Sequence, residues 1–353
     1  MKIKNDFIRI YYLILICTTS ILLSCGDKNS KNKNKNAPKL RFRLALELKP
    51  ETKIWEVSNL FQTELEKASD KFDIKEGEIK VDFYDQGAIG TERQLLEACN
   101  FGVIEMVQVN SAVVTSIEPA FAILNLPYLF KNEAHHQNVL NGNTGKEMLN
   151  LLEQHSLKGL GFYSAGFRSM FYKFPKEKPC IQKPDELNGL KIRVMESPTM
   201  IATINAMGAS ASPLPFSELY QGIKTGVVDG AENSAKVFTS YHYEEAGCNC
   251  YTLTEHSTDQ HVLIANEDWL NSLEPKYRKR ILEVSKDIIE PFNIIWKKTT
   301  EKALIQIEND AVRVNVIADK SDFVTSVQPV YNHFFQLYPN VSKSLFNQIK
   351  NSE

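Results

Sequence analysis

The sequence predicts an α/β fold, on three observations. Leu40, Phe42, Leu44 and Leu46 alternate with Arg41, Arg43 and Ala45, a period-two strand pattern. Ile54, Val57, Phe61, Leu65 and Ala68 follow at spacings of three and four, and Ile79, Val81 and Phe83 then restore the alternation. This opening β-α-β is how an α/β domain begins. The 353 residues suffice for one large or two ordinary domains, and 43% hydrophobic with 24% charged residues is ordinary for a folded soluble chain.

Ahead of that strand, Lys2, Lys4 and Arg9 precede the apolar run Ile10 to Cys17, the pattern of a secretory signal peptide over residues 1–24. Leu22-Leu23-Ser24-Cys25 resembles a bacterial lipobox, which makes Cys25 the expected lipidated residue and a membrane the expected anchor point. Residues 25–39 are rich in Asn, Lys, Ser and Asp, with no apolar residue before Ala37, as expected of a disordered tether.

Within the folded part, Tyr84 to Arg93 is a Gly-bounded loop feeding the helix that carries Leu95, Leu96 and Cys99. It puts Glu92 in the first helical turn, where an acid also suits the helix dipole. Val103 to Val109 reads as a strand that delivers Asn110 and Ser111 at its carboxyl end, where open α/β sheets hold ligands. Leu124 to Phe130 reads as core, and His135-His136 as surface histidines, since helix neighbours do not face one ligand. A helix is expected near Gly145 to Gln154. Lys158 to Tyr163 then rises into Arg168, where the chain is expected to cross into a second lobe.

Pro184 to Gly189 reads as a helical turn stopped by Gly and feeding the strand Leu190 to Val194, which ends on Arg193. Met200, Ile201, Ile204 and Met207 form a helix face. Phe216 to Lys224 is a further helix with Ser217 as its expected N-cap, and Val227 to Gly230 a short strand whose Gly lets Glu232 and Asn233 approach a cleft. Leu253 to Ser257 and Val262 to Ala265 look like a return strand; His256 there is either a ligand contact or a satisfied strand-end histidine. Glu274 to Val312 is long and helical, with Pro291 requiring a kink or break. Short helices anchored by Phe334, Phe335 and Phe346 close the chain.

Arg168 and Arg193 have apolar neighbours that hold them partly out of water, and a buried guanidinium calls for an anion. Its planar fork matches a carboxylate bidentately. Lys plus Arg number 41 against 43 Asp plus Glu, so no broad basic surface argues for nucleic acid. Four cysteines, Cys99, Cys180, Cys248 and Cys250, do not make a disulfide scaffold in a chain this long. Cys248-Asn249-Cys250 lacks a partner pair at zinc-like spacing, so neither metal nor cofactor is expected.

Four ordered blocks carry a resemblance: Gly189 to Pro198, Met207-Gly208-Ala209, Pro213 to Tyr220, and Gly226 to Asn233. Together they are similar to the core signature of DctP-type receptors, the extracytoplasmic substrate-binding proteins of tripartite ATP-independent periplasmic (TRAP) transporters. The resemblance implies a two-lobed periplasmic-binding-protein-like fold with a hinge, and a long helix spanning both lobes with Trp296 and Ile305 under the hinge. Lobe I is then 40–165 with 253–285, and lobe II 166–252 with 286–353. It also implies that Arg193 pairs a ligand carboxylate and Arg168 adds a second positive contact. Asn233 and Glu92 then meet hydroxyls, Asn110 stands where some members have a contacting acid, His256 stays a candidate ligand residue, and Asp229 and Glu232 brace the loop. The segments around Glu196, Glu232 and His256 look similar to members that take hexuronates, with Ser234 as a departure. Dicarboxylates, sialic acid and other hydroxy acids stay open. The implied partners are a small carboxylate and the TRAP membrane subunits. An exported enzyme acting on acidic sugars is the rival, though the sequence has neither a Gly-x-Ser-x-Gly elbow nor a zinc-spaced His cluster.

Overall fold

The structure, a computed structural model, describes residues 37–339, 341 and 343–352, and for 290–298 the helical backbone alone. The signal segment, Cys25 and nearly all of the tether lie outside these residues, as does the Trp296 side chain. Among the described residues no helix is long and apolar enough to cross a membrane. Lys39–Glu353 form one compact unit.

The first half opens with β1 (Leu40–Ala45), α1 (Lys53–Glu66) and β2 (Ile79–Tyr84), and β1 and β2 pair in parallel as the opening pattern predicts. α2 (Glu92–Asn100) starts on a capping box, in which the Thr91 hydroxyl accepts from Gln94 N and the Gln94 side chain accepts from Thr91 N. β3 (Met106–Asn110) runs straight into the single-turn α3 (Ser111–Val114), and α4 (Glu133–Asn141) and α5 (Asn143–Leu151) follow. Two long strands, β4 (Leu157–Tyr172) and β8 (Cys250–Asn266), serve both halves. Between them lie β5 (Lys191–Val194), α6 (Pro198–Ala206), β6 (Ser210–Pro213), α7 (Leu219–Thr225), β7 (Gly230–Asn233) and α8 (Ala235–Ser240). The chain ends with α9 (Glu267–Ser272), α10 (Pro275–Asn309), β9 (Arg313–Val316), α11 (Ser321–Ser326), α12 (Gln328–Leu337) and α13 (Lys343–Asn351).

All nine strands join one sheet in the order β2-β1-β3-β8-β4-β7-β5-β6, with β9 on β8. The carboxyl half of β8 pairs with β3 and with the start of β4, and its amino half with the end of β4. Between these regions the β4–β8 register shifts twice, from Ser164 to Phe167 and from Arg168 to Met170, with Gly166 at φ 82°. Bulges weaken the ladder where the halves meet. A second glycine is demanded by close approach: a Cβ on Gly230 would stand 2.1 Å from the Phe171 carbonyl oxygen, so β7 lies against β4 only with Gly at its first position.

α10 is one uninterrupted helix across Pro291, so no break occurs there. Proline removes a single backbone hydrogen bond, and the rest of α10 packs on β4, α1 and α8, in both halves. Ile305 on this helix is 59% exposed and does not pack beneath the hinge. His135 and His136 are buried, contrary to the surface reading. His135 Nδ1 accepts from Lys131 N and its Nε2 lies 2.7 Å from Ile349 O, while His136 lies against the Phe130 ring. The expected strand at Val227–Gly230 begins instead at Gly230. Ser217 does not cap α7; it sits in a 3-10 turn before that helix, and its N–H points elsewhere.

Cys180 and Cys250 form a disulfide across 70 residues, leaving Cys99 and Cys248 free and buried. Spacing did not reveal it, because Cys180 approaches β8 from a loop. Closing a loop of that length removes chain entropy from the unfolded state. Cys180→Ser is therefore expected to lower the unfolding free energy by about 2–4 kcal/mol, measured as a shift in urea midpoint, with the parent falling to the variant's value in reductant.

A buried cation between the halves

A small cavity opens at the carboxyl ends of β3 and β5, where β4 and β8 cross between the halves. Its wall comprises Leu48, Glu92, Asn110, Arg168, Arg193, Met195, Phe216, Asn233, Val237, Asp259 and His261. As the halves stand it measures about 20 Å³, against about 630 and 490 Å³ for two wider clefts elsewhere. Size favours the wider clefts, but neither of them is lined by a buried polar atom left without a partner, and this cavity is. Chemistry therefore makes this cavity the candidate site.

The two arginines differ in one decisive respect. Arg168 is fully engaged: its Nε and Nη2 grip the Glu232 carboxylate, Nη2 also donates to Glu232 O, and Nη1 donates to Asp259 Oδ1 at 2.7 Å and Asn233 Oδ1 at 3.3 Å. Burial alone would depress this guanidinium, but Glu232 and Asp259 outweigh it and hold the proton firmly. Burial likewise works to raise Asp259, yet Arg168 and His261 bring it down to about 2. Arg193 has no such company. Its Nε donates to Leu214 O at 2.9 Å, its Cζ lies 5.5 Å from the Phe216 ring centre, and Nη1 is buried without a partner. Burial lowers its pKa, opposed by the distant Glu232 charge. A cation 2% exposed with no carboxylate beside it is held ready for one.

The opposite wall is acidic and amide-rich. Asn110 caps α3 through Oδ1, which aims Nδ2 at Asp259 Oδ1, 2.8 Å away. Asn110 N donates to Glu92 Oε1, and His261 Nδ1 lies 3.7 Å from that same oxygen. Burial pushes the Glu92 carboxyl up to about 7; the nearby His261 pulls it down, and Glu47 adds to the rise. Behind the wall Glu47 accepts from Glu92 N and, across to the other half, from Ser217 N. Asn233 Oδ1 is spent on Arg168 and Ser234 N, which leaves its amide Nδ2 as the remaining donor.

The profile of the bacterial extracellular solute-binding proteins, family 7 (DctP), matches residues 48–337. The chain belongs to the DctP family. A solute-binding protein of Chromohalobacter salexigens is 31% identical over 280 residues, 79% of this chain and 81% of that protein. The crystal structure of a TRAP periplasmic solute-binding protein from Xanthobacter autotrophicus, with bound β-D-galacturonate, superposes with a TM-score of 0.80 at 28% identity, over 88% of this chain and 100% of that one. Another from Citrobacter koseri, with bound D-glucuronate, gives 0.79 at 26% identity, over 89% and 99%.

Of the residues singled out in this DctP protein's sequence, Arg168, Arg193, Asn233, Glu92 and Asn110 meet at the cavity. His256 does not: it is fully buried behind Glu232, with Nδ1 bonded to Thr254 Oγ1 and Nε2 3.7 Å from Glu232 Oε2. Arg168 reaches the cavity without a free charge, because Glu232 braces the arginine rather than a loop. Asp229 does brace backbone, accepting from Lys191 N. Asp259 and His261 were missed. Their signal was the polar run Thr254 to His261 in the middle of the strand, ahead of the apolar Val262 to Ala265. Among the described residues the one group of His, Asp and Glu able to share a metal ion is His242, Glu244 and Glu245, none of them on the cavity wall.

Proposed function

We propose that this protein is the extracytoplasmic receptor of a TRAP transporter for a carboxylated sugar, with hexuronates such as galacturonate and glucuronate as ligands. The observation that carries the reading is Arg193, a buried guanidinium with an unpartnered Nη1 beside acids and amides suited to hydroxyl groups. Arg193 holds the carboxylate; Asn233, Glu92 and Asn110 meet the hydroxyls; Arg168 stiffens the wall, and His256 supports Glu232 from behind. The bound uronates of the Xanthobacter and Citrobacter proteins support the same class of ligand.

So narrow a cavity admits a six-carbon acid only when the halves part. We read them as 40–165 with 253–285 and 166–252 with 286–353, hinged at the bulges of β4 and β8. Closure dehydrates the ion pair and strengthens it, and the closed form passes the acid unchanged to the membrane subunits. The lipobox-like segment supports anchoring through a lipid on Cys25, which would keep the receptor close to the periplasmic face of a membrane.

Thermal-shift and calorimetric titration with galacturonate and glucuronate test this. Ligand at a hundred times its Kd should stabilise the fold by about 2.7 kcal/mol and be recovered chemically intact. No shift with either acid at millimolar concentration, or turnover of the ligand, would defeat the proposal.

A further inference from the structure

We infer that the cavity accepts one carboxylate and excludes a second, so that the receptor takes monocarboxylic sugar acids and rejects the matching dicarboxylates. This rests on the sugar-acid reading above and adds a charge rule to it. Among the described residues the arginines that line the cavity are Arg168 and Arg193, and no lysine does. Arg168 already faces two carboxylates, Glu232 and Asp259, with all three of its nitrogens engaged. That leaves Arg193, in the second half, as the single uncommitted positive charge.

Every ionisable group on the rest of the wall is an acid or a histidine. Glu92 rises from α2 and Asp259 and His261 from β8, with Glu47 directly behind. Two donors there are spent, Asn110 Nδ2 on Asp259 and Asn110 N on Glu92, and the unpartnered His261 Nδ1 faces Glu92. A hydroxyl fits such a wall, because it donates to a carboxylate as readily as it accepts. A second carboxylate only accepts, so it would be buried against Glu92 and Asp259 with no arginine or lysine to meet it. His261 lies 3.7 Å from Glu92 Oε1 and 3.5 Å from Asp259 Oδ1, so two acids already face its ring. The same asymmetry orients the ligand, with its acid group toward Arg193 and its far end toward Glu92.

Galacturonate, galactarate and galactose share one carbon skeleton and carry one, two and no carboxylates, so calorimetry on the intact protein with these three reads the rule, with the acyclic monocarboxylate galactonate as the control for the pyranose ring that galactarate cannot close. Galacturonate should bind, with galactarate and galactose each at least 100-fold weaker. Glu92→Gln, which removes one acid from the far wall, should narrow the galactarate gap about tenfold. Galacturonate binding with galactarate within tenfold of it overturns the charge rule and leaves the sugar-acid reading standing. Binding of none of the three overturns both. A galactarate gap unmoved by Glu92→Gln overturns the assignment of the far end to Glu92.

Discussion

Replacing Arg193 by Met is expected to weaken ligand binding severely while leaving the unliganded protein at least as stable as the parent. Most buried charges pull the two properties the same way, because they are paired inside the fold. Arg193 is not: one hydrogen bond to Leu214 O and the face of Phe216 are what it has in return for leaving water. Exchanging a buried charge for an apolar side chain of similar volume is often neutral or stabilising, by up to about 4 kcal/mol. The ligand carboxylate, in contrast, would lose its only cation and stay buried, a loss of about 2–5 kcal/mol or some 30- to 4,000-fold in affinity. Arg193→Lys keeps the charge but not the planar fork, so binding should weaken at least tenfold, about 1.4 kcal/mol. Urea unfolding without ligand and calorimetry with galacturonate measure the two effects separately. A variant that binds within threefold of the parent, or that unfolds several kcal/mol more easily without ligand, contradicts the assignment of Arg193 as the grip.

Local patterns made much of this legible, and the exceptions share a cause. The β-α-β opening, the Arg193 strand, the Asn110 strand end and the long helix α10 are all set by periodicity or by a capping residue within a few positions, and each appears in the structure. What failed to show depends on partners distant in sequence. Glu232 lies 64 residues from Arg168, and Asp259 lies 91 away, so nothing near Arg168 announces that its charge is already neutralised. The Cys180–Cys250 bridge and the burial of His135 against the last helix are long-range in the same way. Sequence therefore brought both arginines to the site but could not tell the braced one from the free one.

Arg168→Met is expected to do the reverse of Arg193→Met and to destabilise the unliganded fold heavily. Removing the guanidinium strands Glu232 and Asp259, which are 0% and 2% exposed, and breaking a buried pair from one side costs about 3–5 kcal/mol. The pH dependence identifies the cause. In the parent, Arg168 holds both carboxyls below their ordinary range, Asp259 at about 2, so their stabilisation is present at neutral pH and is lost only as pH falls toward that value. Without the guanidinium, burial dominates and raises both carboxyls; their charged forms then oppose folding at pH 7, and protonation on acidification relieves the strain. The gap in unfolding free energy between parent and variant should thus be widest near pH 7 and shrink toward pH 4. Adding Glu232→Gln and Asp259→Asn to Arg168→Met should recover most of the loss at pH 7, because neither stranded charge then remains. Urea midpoints across that pH range decide the matter. A deficit below about 1 kcal/mol, under the usual cost of an unpaired buried charge, or one that stays constant with pH, would show that the Glu232–Arg168–Asp259 cluster does not stabilise the fold.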